Sequence, residues 1–467
     1  MVYQSEVSQI LRLAIVRSWA VLRLALIVAV FMCCGAPALA ADGRLVSVAD
    51  PLAENTTSFP LIRAPLPTPG GSVHDERFGT TQTRATSKPG LRHEYARHDP
   101  FNKDCSLILL TDITAGAWSV FKTDTIPFDK DGSPIRQLDF EEPRWDTIDH
   151  RVIWGTRDFS ILRMNVDSGA VSVMKDFTTD PVVGPILKSE PDLYRITMKD
   201  EGEASLDRRY WAFILQGVQD DYRARYILVW DRTEDKVIGL TKLAESQSRI
   251  DWVGMSPKGT WVIVGSDHDN GSPLAGLVMM DRTLKRVHPL HYSTGHADVA
   301  IDATGREVVV MQNAQTDFID LIPLEETTKP IGPGGSYAGT NHVPLVRLFY
   351  ASDSPAGFNS GVHISCNYPE WCVVSTHIEP DVAEKNWLDR SIVLIHLNPA
   401  QPRAYYVAKV SGTCSAYWEE THAAISADGS RVVWATNWDQ NVGQEKVWLV
   451  ECRLPKGWQG ASVSVSD

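Results

Sequence analysis

Residues Glu420–Trp438 read ETHAAISADGSRVVWATNW, which is the pattern of a tight β-hairpin. A short apolar run leads into Ser-Ala-Asp-Gly, residue types that favour a turn, and a second apolar run follows. The same order of strand, polar turn and strand occurs without gaps at seven places in the chain. The seven units begin at residues 98, 142, 201, 252, 298, 363 and 422.

Successive units begin 44 to 65 residues apart, and the intervals contain further strand-like runs such as YILVWD and KVWLVEC. Three or four strands in each interval is the size of a propeller blade. The length of 467 residues would by itself suggest two or three domains. The repeat instead predicts a single all-β fold, a seven-bladed β-propeller over residues 92–456.

The first 40 residues have the composition of a secretory signal peptide. Arg12, Arg17 and Arg23 accompany an apolar run that ends in the cleavage pattern Ala-Leu-Ala at residue 40. The alternative is an uncleaved membrane anchor, for which the apolar run is short. We therefore expect a secreted or periplasmic protein that has no membrane span after cleavage.

Two further segments flank the predicted propeller. Residues 41–91 are rich in Pro, Ser, Thr and Gly, which is typical of an extended arm or linker. Residues 457–467 form a short C-terminal tail. The last blade needs an outer strand, and the sequence leaves open whether the arm or the tail supplies it.

The net charge narrows the choice of binding partners. Removing residues 1–40 takes away three Arg and one Glu, so the formal net charge moves from −13 to about −15. Such an acidic surface argues against nucleic acid as a partner, although a local cationic pocket could still bind an anionic sugar.

Cys366 and Cys372 flank the turn NYPE, so a disulfide across that hairpin is plausible, while other pairings stay open.

The starts of the seven units are expected to form a ring at one mouth of the propeller channel, because the first strand of each blade lines that channel. Six of the seven residues are polar or ionisable. In blade order the ring contains His98, Glu142, Glu201, Trp252, Asp298, His363 and His422. The last blade closes on the first, so His363, His422 and His98 occupy consecutive blades. Three imidazoles there suit either a divalent metal or an anionic group.

Other candidate residues lie close to this ring in the sequence. They are His296 in GHAD, Tyr95 in RHEYAR, Tyr417 and Trp418 in SAYWEE, and Arg157 at the end of a second strand. Arg157 is a fixed cation that could pair with a substrate carboxylate. The alternative for any single rim histidine is a hydrogen-bonded residue at a strand end.

Two resemblances follow from these motifs. The units ISADGSRVVWATNW, IDATGREVVV and MSPKGTWVIV resemble the Tol-type, WD40-like bacterial propeller repeat. GHAD, GVHISC and ETHAAIS resemble the histidine-bearing blade starts of seven-bladed polysaccharide lyases, the oligogalacturonate and ulvan lyases. This resemblance implies that His296, His363 and His422 bind a divalent metal (Mn, Ca or Zn) or a carboxylate. The stretch DITAGAWSV after His98 departs from the ulvan-type pattern, because it has no second histidine.

The sequence thus predicts an exported propeller that acts on an acidic polysaccharide or oligosaccharide. Cleavage of a uronic-acid glycan by β-elimination needs a cation beside the carboxylate and a base near working pH. The candidate catalytic residues are His98, Tyr417 and Arg157, and the candidate substrate-binding residues are Tyr95, Trp418, Glu142 and Trp252. The alternative is a non-catalytic propeller whose polar mouth binds a glycan or a protein partner.

Overall fold

The structure, a computed structural model, describes residues 45–53, 59–62, 64–218, 222–244, 249–266, 272–348, 361–377, 388–414, 416–440, 446–460 and 462–463. The predicted signal peptide lies outside these residues. Within them, no helix is both long enough and apolar enough to cross a membrane. The described helices are α1 at Val183–Ser189 and the 3-10 helices Tyr417–Glu419 and Trp458–Gly460.

Strands make up most of the ordered backbone. The strands of the arm and of blade 1 are β1 Leu45–Val46, β2 Ser72–Asp75, β3 Thr80–Arg84, β4 Leu91–Arg92, β5 Leu107–Asp112, β6 Ala117–Lys122 and β7 Arg136–Gln137. The strands of blades 2 and 3 are β8 Glu141–Trp145, β9 Val152–Arg157, β10 Ser160–Asn165, β11 Val171–Asp176, β12 Leu193–Thr197, β13 Tyr210–Gly217, β14 Ala224–Asp231 and β15 Lys236–Lys242.

The remaining strands continue this order. The strands of blades 4 and 5 are β16 Ile250–Met255, β17 Trp261–Ser266, β18 Gly276–Asp281, β19 Val287–His291, β20 Ala297–Ile301, β21 Glu307–Asn313, β22 Phe318–Pro323 and β23 Val343–Arg347. The strands of blades 6 and 7 and of the tail are β24 His363–Tyr368, β25 Trp371–Ser375, β26 Ser391–His396, β27 Arg403–Lys409, β28 Ala424–Ile425, β29 Arg431–Thr436, β30 Trp448–Arg453 and β31 Ser462–Val463.

The predicted seven-bladed propeller is confirmed by the sheet topology. Blades 2 to 6 are separate four-stranded antiparallel sheets whose strands follow chain order. Blades 1 and 7 lie together in a nine-stranded sheet, which the parallel pairing of Trp448 with Leu91 joins. The hairpin Ser-Ala-Asp-Gly of the sequence repeat lies between β28 and β29, as predicted.

The arm supplies the outer strands of blade 7. β3 pairs antiparallel with β30 through Thr83 and Arg84, and β2 pairs with β3. The sequence had left the choice between arm and tail open. The tail contributes β31, which pairs in parallel with β1 near the start of the arm. The two ends of the described chain are therefore held together by backbone hydrogen bonds.

The second strand of each unit forms the middle of its sheet. β17 and β21 are buried along their whole length, because neighbouring blades cover both faces of each sheet. Val310 of blade 5 and Val374 of blade 6, for example, belong to one apolar cluster. This double coverage explains why the second strands are continuous apolar runs rather than alternating ones.

The repeated turn has a local chemical cause. Ser426 donates from Oγ to Asp428 at 2.7 Å, and the Gly429 N–H donates to the carbonyl of Ser426 at 2.8 Å. Gly429 has φ +69°, a left-handed conformation that glycine adopts without steric cost. The predicted disulfide between Cys366 and Cys372 is present and joins β24 to β25.

Candidate functional site

Residues 93–100, which we call the channel segment, leave blade 1 and enter the channel. Leu91–Arg92 and Phe101, on either side of the segment, both pair with the same edge of β5. The residues between them must therefore loop away from the blade. Tyr95 and Arg97 of this segment are only 6% and 4% exposed, because other blades enclose them.

Three potential ligands converge where the channel segment meets blades 6 and 7. Glu420 Oε2 lies 3.1 Å from His363 Nε2 and 3.3 Å from His422 Nε2. One ligating atom of each side chain lies within 4.8 Å of the other two. We call these three residues the His–Glu cluster. Among the described residues, no other group of three or more His, Cys, Asp and Glu side chains has this spacing.

His296 and Tyr95 complete one side of the cluster. The rings of His296 and His363 have centroids 4.6 Å apart, and those of His363 and His422 are 4.0 Å apart. The Tyr95 hydroxyl lies 3.3 Å from His296 Nδ1, and the Tyr95 ring packs edge-on against the other two imidazoles. The predicted metal ligands His296, His363 and His422 therefore lie together.

Arg92 fixes the orientation and protonation of His422. Its guanidinium is fully buried and donates to the carbonyls of Trp418 and Glu420 at 2.6 and 3.0 Å. It also donates to His422 Nδ1 at 2.9 Å. Arginine can only donate, so Nδ1 must be the acceptor and the ring proton of neutral His422 is on Nε2, facing Glu420. His422 itself has φ +45°, an uncommon conformation for a residue with a side chain.

Burial makes the imidazoles of the site neutral. It lowers the pKa of His296 to about 3 and shifts the pKa of His363 and of His422 below the ordinary value. Burial alone would raise the pKa of Glu420, but its closeness to His363 and the positive charge of Arg92 hold that pKa below its ordinary value. The site near neutral pH is thus a carboxylate surrounded by neutral imidazoles.

Tyr417 and Trp418 lie beside the cluster on a short 3-10 helix. The Tyr417 ring is 5.0 Å from the His422 ring and 5.1 Å from the Trp418 ring. Tyr417 is 51% exposed, so part of this side chain faces solvent. The Arg92 guanidinium lies 5.6 Å from the centre of the Trp418 ring.

His98 lies at a different place from the one expected. It was predicted to join His363 and His422 on a ring of blade starts. Because the inner strand of blade 1 is interrupted, His98 lies within the channel segment and faces blade 3. Its Nδ1 is 3.3 Å from Glu203, and its Nε2 is 2.5 Å from the Asp200 carbonyl oxygen. Both ring nitrogens are therefore engaged by the protein.

Glu142 is also occupied by protein contacts. It is 1% exposed and accepts hydrogen bonds from Thr197 Oγ1 and from the backbone N–H groups of Met198 and Asp200, at 2.8 to 2.9 Å. These bonds attach the start of blade 2 to blade 3. The carboxylate thus acts as a buried acceptor for the fold.

Trp252 and Arg157 make contacts with residues outside the His–Glu cluster. Trp252 is 3% exposed, and the Arg97 guanidinium covers it 4.1 Å from the ring centre. Arg157 pairs with Asp139 at 2.7 Å on the surface, where its side chain is 44% exposed. Among the described residues, Arg157 is paired with this carboxylate rather than with a group of the cluster.

Glu420 is the important residue that the sequence motifs did not assign to the site, and Arg92, which the motif RHEYAR offers near the predicted mouth, had no predicted role there. Glu420 lies two residues before His422, and residues at this spacing in an extended chain share one side. That signal was present in ETHAAIS. Arg92 lies far away in the chain, so its contact with His422 depends on the closure of blade 7 onto blade 1.

Comparisons with known proteins address the fold. No family model matches the sequence, and neither does any curated protein. Among solved structures, an oligogalacturonate lyase in complex with manganese matches with a TM-score of 0.54 and 12% identity, over 84% of this chain and 98% of the lyase. An oligogalacturonate lyase from Vibrio parahaemolyticus matches with a TM-score of 0.53 and 11% identity, over 83% and 97%. The chain has the fold of these lyases.

The donor set of the site fits a divalent cation. Imidazole nitrogen and carboxylate oxygen are ligands that zinc and related ions prefer. Both ring nitrogens of His363 are buried, and neither makes an aligned hydrogen bond among the described residues. Its Nε2, facing Glu420, is therefore open to a cation. A cation at His422 Nε2 would have to displace the proton that Arg92 places there.

Proposed function

We propose that the channel mouth binds a divalent cation and that the protein is an exported, carbohydrate-active propeller that cleaves a uronic-acid glycan by β-elimination. The convergence of His363, Glu420 and His422 beside the exposed Tyr417 carries this proposal. The manganese complex of a lyase with the same fold supports it. The acidic glycan rests on the sequence pattern and on the oligogalacturonate that the compared lyase acts on, and the secreted or periplasmic location rests on the predicted signal peptide.

Each residue of the site would have its own role in the reaction. His363 and Glu420 would hold the cation, with His296 and His422 as the flanking imidazoles. When bound, a divalent cation stabilises the charge that develops on a carboxylate next to the carbon losing its proton. Although half of the Tyr417 side chain is exposed, desolvation around its hydroxyl raises the pKa of Tyr417 well above its ordinary value, so the hydroxyl keeps its proton near neutral pH. Tyr417 therefore suits protonation of the leaving glycosidic oxygen, while the neutral and partly exposed imidazole of His296 would accept the proton from the carbon.

The first test is activity on acidic polysaccharides. The purified protein, stripped with a chelator and reloaded with Mn²⁺, Ca²⁺ or Zn²⁺, is expected to raise the ultraviolet absorbance of an unsaturated product from pectic, ulvan-like or glucuronan substrates. His363→Ala should lower the rate about 100-fold, since it removes a ligand. His150→Ala is the matched control, because His150 pairs with Asp104 on the surface at 3.7 Å.

Two results would contradict this function. The first is the absence of product from all three substrate classes with every metal. The second is equal loss of activity in His150→Ala and His363→Ala. Glycan binding without product would favour the non-catalytic propeller instead.

A further inference from the structure

A second cavity, of about 160 Å³, lies at the other end of the channel. His363 begins β24 at the His–Glu cluster, whereas Asn367, near the other end of that strand, and Pro369, in the turn after it, line this cavity. The exposed residues Leu206, Pro369 and Ala427 of the hairpin turns border its opening. The cavity is therefore reached from the opposite face of the propeller.

The channel segment separates the two sites. Tyr95 contacts the histidines, whereas Arg97 and Asp99 line the second cavity. A ligand in this cavity would consequently not touch the His–Glu cluster. Binding in this cavity would not depend on the proposed lyase function.

The buried cations of the cavity wall are already neutralised by the protein. Arg144 Nε lies 3.1 Å from Glu203 Oε1, and Arg208 lies 2.5 Å from the other oxygen of the same carboxylate. Arg97 pairs with Glu201 at 3.0 Å. These guanidinium side chains are 8% exposed or less and are held in ion pairs, so they are not free to bind a ligand.

Two carboxylates of the cavity wall can accept further hydrogen bonds. Asp99 accepts backbone N–H groups at 2.9 and 2.7 Å, one on each oxygen, and Asp298 does so at 2.8 and 2.7 Å. Each oxygen can accept a second hydrogen bond. Among the described residues, neither carboxylate has a cationic side chain within ion-pair distance. Burial raises the pKa of Asp99 to about 8 and that of Asp298 to about 7, because burying the charged form of each carboxyl group costs free energy. Hydrogen bonds donated by a ligand would offset part of that cost.

These walls select for a neutral ligand that is rich in hydroxyl groups. The guanidinium groups are already paired, and burial disfavours charge on Asp99 and Asp298, so the wall offers no strong counterion to an anion or to an ammonium ion. Phe101, Trp145 and Ile301 give the remaining wall an apolar character suited to C–H groups. A cavity of about 150 Å³ holds one benzene ring, so this cavity has room for a single six-membered ring.

We propose that this cavity binds one neutral pyranose ring, or a polyol of that size, through hydroxyl groups that donate to Asp99 and Asp298. The exocyclic groups of the ring would point to the opening between Leu206 and Ala427. The site would let the propeller hold a neutral sugar on the face opposite to the His–Glu cluster.

The test is saturation-transfer NMR with glucose, galactose and mannose, with galacturonate and ethanolamine as charged probes. At least one neutral sugar is expected to bind saturably, with a millimolar dissociation constant. Ala427→Trp fills the opening from an exposed position and should weaken binding at least tenfold, as should Asp298→Asn. Asp104→Asn, at a surface carboxylate, and Glu420→Gln, at the cluster, should leave the dissociation constant unchanged.

Three results would overturn this assignment. They are the absence of saturable binding of every neutral sugar, neutral-sugar binding that Ala427→Trp leaves unchanged, and binding of a charged probe that Ala427→Trp weakens and that is tighter than binding of the neutral sugars. Ala427→Trp keeps the test decisive if Asp298→Asn does not fold, because residue 427 is exposed.

Discussion

Glu420→Gln is expected to weaken Mn²⁺ binding to the purified protein by about 100-fold. The carboxylate is the one anionic member of the His–Glu cluster and lies within 3.3 Å of both imidazoles. Glutamine keeps the shape of the side chain but removes the charge, while the positive charge of Arg92 behind His422 remains. The cation then meets neutral ligands and a nearby guanidinium. Titration calorimetry on chelator-stripped protein measures the change.

The matched control for this variant is Glu370→Gln. Glu370 is also a carboxylate beside a histidine, since it lies 3.9 Å from His396, but its side chain is 53% exposed and outside the cluster. Its replacement should not change Mn²⁺ affinity. If Glu420→Gln binds Mn²⁺ as tightly as the unchanged protein does, the cluster is not the metal site.

Arg92→Met should lower the free energy of unfolding by about 4 kcal/mol. The guanidinium donates to the carbonyls of His93, Trp418 and Glu420 and to His422 Nδ1, all within 3.0 Å. Methionine fills a similar volume but leaves these buried acceptors without a donor. Because Arg92 links blade 1 to blade 7, the loss should weaken closure of the propeller. Denaturant unfolding followed by tryptophan fluorescence measures it.

Arg157→Met provides the comparison at the surface. Arg157 pairs with Asp139, whose side chain is 74% exposed, and such pairs contribute about 0 to 1 kcal/mol. If the two variants lose similar stability, the buried hydrogen bonds of Arg92 do not hold the site together.

The blade count could be predicted because each unit carries its own local signal. The turn at Ser426–Gly429 is specified by hydrogen bonds within four residues, and the middle strands are apolar because both faces are covered. The disulfide between Cys366 and Cys372 was visible for the same reason, since a short hairpin brings both residues together. Local chemistry repeated at blade spacing thus predicts the architecture.

The site could be predicted only in part. His363 and His422 stand at the starts of repeat units and meet at one mouth, as the repeat predicts. In blade 5 the repeat gives Asp298, which instead lines the cavity at the other end of the channel, whereas His296, two residues earlier, lies beside His363. His98 differs because blade 1 splits its inner strand around the channel segment, an irregularity that no repeat can show. The pairing of β3 with β30 could not be predicted from the sequence either, because the arm contains no copy of the repeat.

Anomalous X-ray diffraction from crystals soaked in Mn²⁺ tests whether the His–Glu cluster holds a divalent cation. An anomalous peak is expected about 2 Å from His363 Nε2 and from a carboxylate oxygen of Glu420. A peak at another site with none at the cluster, or no peak at a Mn²⁺ concentration that saturates binding in solution, would contradict it.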